Sequence, residues 1–161
     1  MSEPTSALPL TVRRATPRDA AAVSALIELF VPSGTLLPRA ESFVAAHAQD
    51  FLVAERGGRV VGCVHLEEYA PSLAEVRSLA VAAGAQAGGV GAALVATLER
   101  LARARGYHTV FAVSNRDAFF LRRGYAERHI PELDRERSAV SRYKGVFAKD
   151  LPASEAEGTA R

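Results

Sequence analysis

The sequence predicts an α/β (α+β) protein with about seven strands, on three observations. Seven short apolar or β-branched runs are bounded by Gly, Pro, Asn, Asp or Ser. Between them lie segments with apolar residues at helical spacing. The resulting order, β-α-α-β-β-β-α-β-α-β-β, departs from the regular βαβ alternation of a parallel sheet.

Taken in order, Leu10-Thr11-Val12-Arg13-Arg14 reads as an entry strand. Thr16-Pro17-Arg18-Asp19 opens a helix, with Thr as N-cap, Pro at the first helical position and an acid in the first turn. Val23, Leu26, Ile27 and Phe30 give that helix its stripe, and Pro32-Ser33-Gly34 ends it. A short second helix is expected from Ala40 to His47. Phe51 to Glu55 and Arg59 to Tyr69 form a hairpin about Gly57-Gly58, and Ala74 to Val81 follows as a strand after a turn at Pro71. In the long helix beyond, Val90, Leu94, Val95, Leu98 and Leu101 share one face, Arg100, Arg103 and Arg105 the other, and Gly106 caps the end. His108 to Ser114 is a strand and Asp117 to Arg123 a helix closed by Gly124. A strand begins at Tyr125, Ile130 to Arg137 reads as a polar loop, and Arg142 to Lys149 as a closing strand. One domain is expected over 10–151, with 1–9 and 152–161 disordered.

Composition narrows the function. A chain of 161 residues suits one core, and a net charge of +2 spread over scattered arginines argues for no nucleic-acid partner. The single cysteine, Cys63, excludes an intrachain disulfide and a cysteine metal site, and its apolar run predicts a buried thiol. His47, His65, His108 and His129 show no ligand spacing, so no metal is assigned. The first nine residues lack the apolar core of a signal peptide, which makes the cytoplasm the expected location. Leu79 to Leu98 holds twenty uncharged residues and a Gly84-x-x-x-Gly88 pair. Eight are Ala and four are Gly, too little apolar gain for a membrane span, and no membrane partner is expected.

The chemistry concentrates where a strand ends at Leu79-Ala80-Val81 and a small-residue turn, Ala82 to Gly89, opens the long helix. A helix N-terminus offers unpaired N–H groups and a positive dipole end, and glycines let a phosphate approach them. The pattern is neither a Walker loop, lacking Lys-Ser/Thr, nor Gly-x-Gly-x-x-Gly. Gln86-x-x-Gly89-x-Gly91 resembles the pyrophosphate loop (Gln/Arg-x-x-Gly-x-Gly/Ala) of the GNAT N-acetyltransferases, whose element order the chain also resembles over residues 10 to 150. The chain further resembles the acetyltransferase domain of N-acetylglutamate synthases and the short stand-alone amino-acid N-acetyltransferases. That likeness lies at Gly34 to Arg39, Gly62-Cys63, Glu75 to Val81, Ser114, Phe119 to Tyr125 and Arg142 to Leu151. No amino-acid kinase domain precedes it, so the short form is expected.

The resemblance implies a mixed, mostly antiparallel sheet with helices on both faces, and acetyl-CoA as co-substrate. It assigns the cofactor to Leu79, Ala80, Val81, Gln86, Ala87, Gly88, Gly89, Val90, Gly91 and Ala92, with a backbone N–H of Leu79–Val81 serving the oxyanion. Glu75 is the implied general base, its alternatives being a surface carboxylate beside Arg77, or Glu67 or Glu68 acting through a water. The tyrosine that many members use as acid is here Phe120, which cannot donate, and the resemblance passes that role to Ser114, otherwise a cap for the next helix. The family's cofactor-binding Asn falls on Val113, two positions from Asn115. Arg39 and Arg142 match the substrate-binding arginines, whose planar forks suit the carboxylates of glutamate or glutamine. The implied activity is acetyl transfer to an amino acid, L-glutamate first, in arginine biosynthesis. A protein N-terminus or another small amine as acceptor, a non-catalytic acyl-CoA sensor and a homodimer all stay open.

Overall fold

In the computed structural model, residues 8–134 and 144–153 are described, the side chain of Ala87 apart. The expectations for 1–7, Arg142 and 154–161 lie outside the described residues. The elements run in the predicted order: β1 (Leu10–Arg14), α1 (Ala20–Glu28), α2 (Glu41–Ala46), β2 (Phe51–Arg56), β3 (Arg59–Ala70), β4 (Leu73–Val81), α3 (Val90–Ala104), β5 (Thr109–Ser114), α4 (Asp117–Leu121), β6 (Ala126–Glu127) and β7 (Gly145–Asp150). They build a seven-stranded sheet in the order β1-β2-β3-β4-β5-β7-β6. β1/β2, β2/β3, β5/β7 and β6/β7 pair antiparallel, whereas β4 and β5 run parallel.

The described residues fall into two compact units: one holds those up to Leu66 together with Arg77–Leu98, the other Glu67–Val76 together with those from Glu99. In the first, Val23 and Ile27 of α1 and Val44 of α2 pack on Phe51, Val53 and Cys63 of the β2/β3 hairpin. Gly57 and Gly58 turn that hairpin with φ of +60° and +74°, the conformation a two-residue turn needs at both positions. Gly62 serves another purpose. A Cβ there would stand 2.9 Å from Val90 and Leu94 of α3, so its absence is what lets the start of α3 settle on β3.

Asp19 secures the entry to this unit. Its carboxylate accepts two bonds from the Arg13 guanidinium, at 2.8 and 3.0 Å, and a third from the Thr16 N–H at 2.7 Å. The Arg13 bonds come first among the causes that hold its pKa below the ordinary 3.8. A carboxyl acid whose folded pKa is depressed contributes stability fully present above the unfolded value and lost as pH falls through the folded one. Asp19→Asn is therefore expected to remove about 2 kcal/mol, lowering Tm by roughly 5 °C near pH 7, and to flatten the loss of stability below pH 4. Thermal unfolding of both proteins between pH 2.5 and 7 checks it; equal slopes would show Asp19 to be no source of acid sensitivity.

The second unit closes around Leu73, Phe111, Ile130, Leu133, Val146 and Ala148. Phe120 of α4 stacks on Phe147 at 6.2 Å and meets Tyr125 edge-on at 5.2 Å. The Tyr125 hydroxyl donates to Glu99 at 2.9 Å, and Lys149 donates to the other oxygen of that carboxylate at 2.8 Å. Burial and the Glu99 charge push the Tyr125 pKa well up, so its proton stays in this network.

Three sequence expectations need correction, and one gains detail. The helix at Thr16-Pro17 begins as a 3-10 turn, Pro17–Asp19, because Asp19 draws the chain back to Thr16. The small-residue turn is wound as a 3-10 helix, Ala83–Gly88. The strand begun at Tyr125 has two residues, and the helix before it ends at Leu121 rather than Arg123, its last turn unwinding into Gly124 at φ +85°. Within the supposed polar loop, Pro131–Leu133 is a 3-10 turn with Ile130 and Leu133 buried.

Candidate active site

β4 supplies the first part of the site. Its buried residues alternate as a strand's must, Ala74, Val76 and Ser78 inward, while Glu75, Arg77 and Leu79 are half-buried on the opposite face. The Cα register pairs Leu73–Glu75 with Thr109–Phe111 of β5, so Glu75 stands in the paired interior of the second unit rather than on a loop. Its carboxylate thus projects from a rigid strand.

In the first unit, Ser78 breaks the strand's regularity with φ +53°. A non-glycine residue in that region carries strain, and such strain clusters where backbone must be aimed. The Cys63 thiol donates to the Ser78 carbonyl at 3.4 Å. Burial pushes that thiol up to about 12, so it remains a neutral donor, the buried thiol predicted. The kink lies immediately before Leu79, Ala80 and Val81, where the oxyanion donor is sought. Nothing in the sequence signalled it, since serine has no preference for positive φ.

Beyond Val81, the Ala82 N–H is tied to the Val61 carbonyl at 2.8 Å, and the Gln86 side-chain amide turns back to donate to the Val81 carbonyl at 3.2 Å. Gln86 therefore clamps the turn to the strand end. After the 3-10 helix, Gly89 takes φ +74°, and Val90, Gly91 and Ala92 form the first turn of α3. The first intrahelical bond of that terminus runs from the Ala93 N–H to the Gly89 carbonyl at 3.0 Å, leaving the preceding amides as the dipole's positive end. No atom lies within 4 Å of where a Cβ would stand on Gly84 or Gly89. From Leu79 to Leu98 the sequence carries no acid. Open backbone, helix N-terminus and absence of negative charge fit a diphosphate. Val90 itself is fully buried and can contribute only its backbone.

Arg39 precedes α2. Its carbonyl accepts from the Ser24 hydroxyl of α1 at 2.7 Å, and its guanidinium lies 5.1 Å from the Phe43 ring centroid, so backbone and side chain are both anchored. Ser114 ends β5 opposite Gly145, in the second unit. Its Oγ accepts from the Arg116 N–H at 3.0 Å, which braces the turn before α4 and leaves the hydroxyl proton for another acceptor. Val113 packs on the second unit's core, whereas Asn115 is exposed. Arg142 lies outside the described residues. Among the described residues there is no group of three His, Cys, Asp or Glu that could hold a metal, and no helix long and apolar enough to cross a membrane.

The chain thus joins a mixed sheet, a kinked strand, a glycine turn and a helix N-terminus in one continuous path. The chain belongs to the acetyltransferase (GNAT) family, whose model matches residues 22–125. An uncharacterized N-acetyltransferase of Chlorobaculum tepidum is 37% identical over 116 residues, covering 72% of this chain and 75% of that protein. The amino-acid acetyltransferase of Neisseria meningitidis is 33% identical over 132 residues, 79% of this chain but 30% of the relative's length. The N-acetylglutamate synthase of Neisseria gonorrhoeae, complexed with coenzyme A and N-acetyl-glutamate, superimposes with a TM-score of 0.81 at 28% identity, over 89% of this chain and 35% of that one. The chain thus spans about a third of the amino-acid acetyltransferases it matches.

Proposed function

We propose that the chain transfers the acetyl group of acetyl-CoA to the α-amino group of an amino acid, L-glutamate first and L-glutamine as nearest competitor, the reaction that opens arginine biosynthesis. The observation that carries the reading is the backbone path from the Ser78 kink through Leu79–Val81 to Gly89 and the start of α3. It combines strand N–H groups, suited to a thioester carbonyl, with a helix terminus suited to a diphosphate. In this reading the amides of Gln86 to Ala92 bind the diphosphate. A backbone N–H of Leu79–Val81 donates to the carbonyl oxygen as it gains charge. Glu75 takes the proton of the acceptor ammonium, and Ser114 gives its hydroxyl proton to the departing sulfur. Likeness to a synthase complexed with N-acetyl-glutamate supports glutamate as acceptor.

The test is release of free coenzyme A from acetyl-CoA with each of the twenty amino acids. Fastest turnover with glutamate is expected. Release only with a peptide amine would move the acceptor to a protein N-terminus, and acetyl-CoA binding without release from any amine would make the chain a sensor. Arg39→Ala adds a sharper result. Loss of a charge-assisted fork to a substrate carboxylate should raise the glutamate KM about ten- to a hundred-fold, leaving acetyl-CoA affinity unchanged. Arg39→Lys should recover only part, since Lys keeps the charge without the planar fork. An unaltered KM for every accepted amino acid in Arg39→Ala removes Arg39 from the acceptor site.

A further inference from the structure

Arg56, the last residue of β2, is placed unlike Arg13 and Arg128. Arg13 is spent on Asp19 and Glu55, and Arg128 on Asp150. Among the described residues Arg56 has no carboxylate partner. Its Nε donates to the Leu8 carbonyl at 3.1 Å, which fixes the plane of the guanidinium. Its two terminal nitrogens lie 3.4 and 3.6 Å from where a Cβ on Gly88 would stand. Gly88 is the residue before the left-handed Gly89 that opens α3. The turn carries no charged side chain from Leu79 to Leu98, so its own donors are backbone amides and one glutamine. A guanidinium held by one nitrogen, with two others presented at a backbone turn that lacks charge, is arranged to meet an anion there. A larger side chain at position 88 would intrude on that space.

We propose that Arg56 is a phosphate-binding residue for acetyl-CoA, adding from the β2/β3 hairpin the cation that the turn lacks. This rests on the reading that the turn at Gln86–Ala92 holds the diphosphate. The planar fork suits either the diphosphate or the 3′-phosphate, which share the same chemistry.

Calorimetry on Arg56→Gln and Arg56→Lys with acetyl-CoA and with its 3′-dephospho form decides the matter, alongside kcat/KM with S-acetyl-pantetheine, which has no phosphate. Arg56→Gln is expected to weaken acetyl-CoA roughly ten-fold at low salt, as for a half-exposed charge-assisted bond, with a smaller deficit at 0.5 M salt where such charges are screened. Arg56→Lys should recover part of it, and S-acetyl-pantetheine should be used as well as by the parent. An equal loss with the dephospho form assigns Arg56 to the diphosphate; a loss confined to acetyl-CoA assigns it to the 3′-phosphate. Parent affinity in Arg56→Gln overturns the proposal, and so does an equal loss with S-acetyl-pantetheine, which would mark a structural role. Failure of the underlying reading looks different: a carboxylate placed in the turn itself, as in Gly91→Glu, would then leave acetyl-CoA binding intact whatever Arg56 does.

Discussion

Gly91→Glu is expected to abolish measurable acetyl-CoA binding while leaving the free protein at least as stable as the parent. Gly91 lies in the first turn of α3 and is not among the residues with positive φ, so a side chain there meets no backbone strain. A glutamate in a first helical turn faces the positive end of the dipole and has better helix propensity than glycine, contributing together roughly 1 kcal/mol. The same carboxylate would stand against the diphosphate. Two like charges about 5 Å apart at an effective dielectric near 20 repel by about 3 kcal/mol, more than a hundred-fold in affinity. Gly91→Gln, of equal size and no charge, should keep much more of the binding, which separates repulsion from crowding. The equivalent change at Gly89 is a weaker test, because its φ of +74° would strain any side chain with or without a ligand. Calorimetry and thermal unfolding of both Gly91 variants give the answer; an unchanged Kd in Gly91→Glu would remove the turn from the cofactor site.

What the sequence disclosed and what it withheld follow from the range of the interactions involved. The order of eleven elements could be read because each is signalled locally, by period, by Thr-Pro at a helix start, or by Gly57-Gly58 at a hairpin. The helix face of Val90, Leu94, Val95, Leu98 and Leu101 is buried as its spacing required. Boundaries that slipped are those set by distant partners: β6 is as long as its pairing with Ala148 and Phe147 allows, a length no propensity at Tyr125 can state. The i, i+3 spacing of Ile130 and Leu133 was the available sign of a buried turn, hidden among charged neighbours. In the site, the glycine turn was legible because backbone access demands glycine. The Ser78 kink was not, since serine carries no local signal for a positive φ. Nor was the placement of Arg56 beside Gly88, an approach across more than thirty residues that leaves no local mark.

Glu75→Gln should lower turnover by about 10²–10⁴-fold, the usual contribution of a general base, and leave acetyl-CoA affinity as it was. The substitution keeps the size and planar shape of the side chain, and a register that pairs position 75 with Phe111 in the middle of a sheet gives little room for rearrangement. Lost activity can therefore be assigned to the proton rather than to the fold, with thermal unfolding as the control. One further readout distinguishes a base from a residue that merely braces the strand. An acceptor amine of low pKa, already neutral at the assay pH, needs no base and should suffer a much smaller loss than glutamate does. A bracing role predicts the same loss for every amine. If Glu75→Gln keeps more than half its activity near neutral pH, the base is elsewhere, and Glu67 and Glu68 on β3 are the next carboxylates to replace.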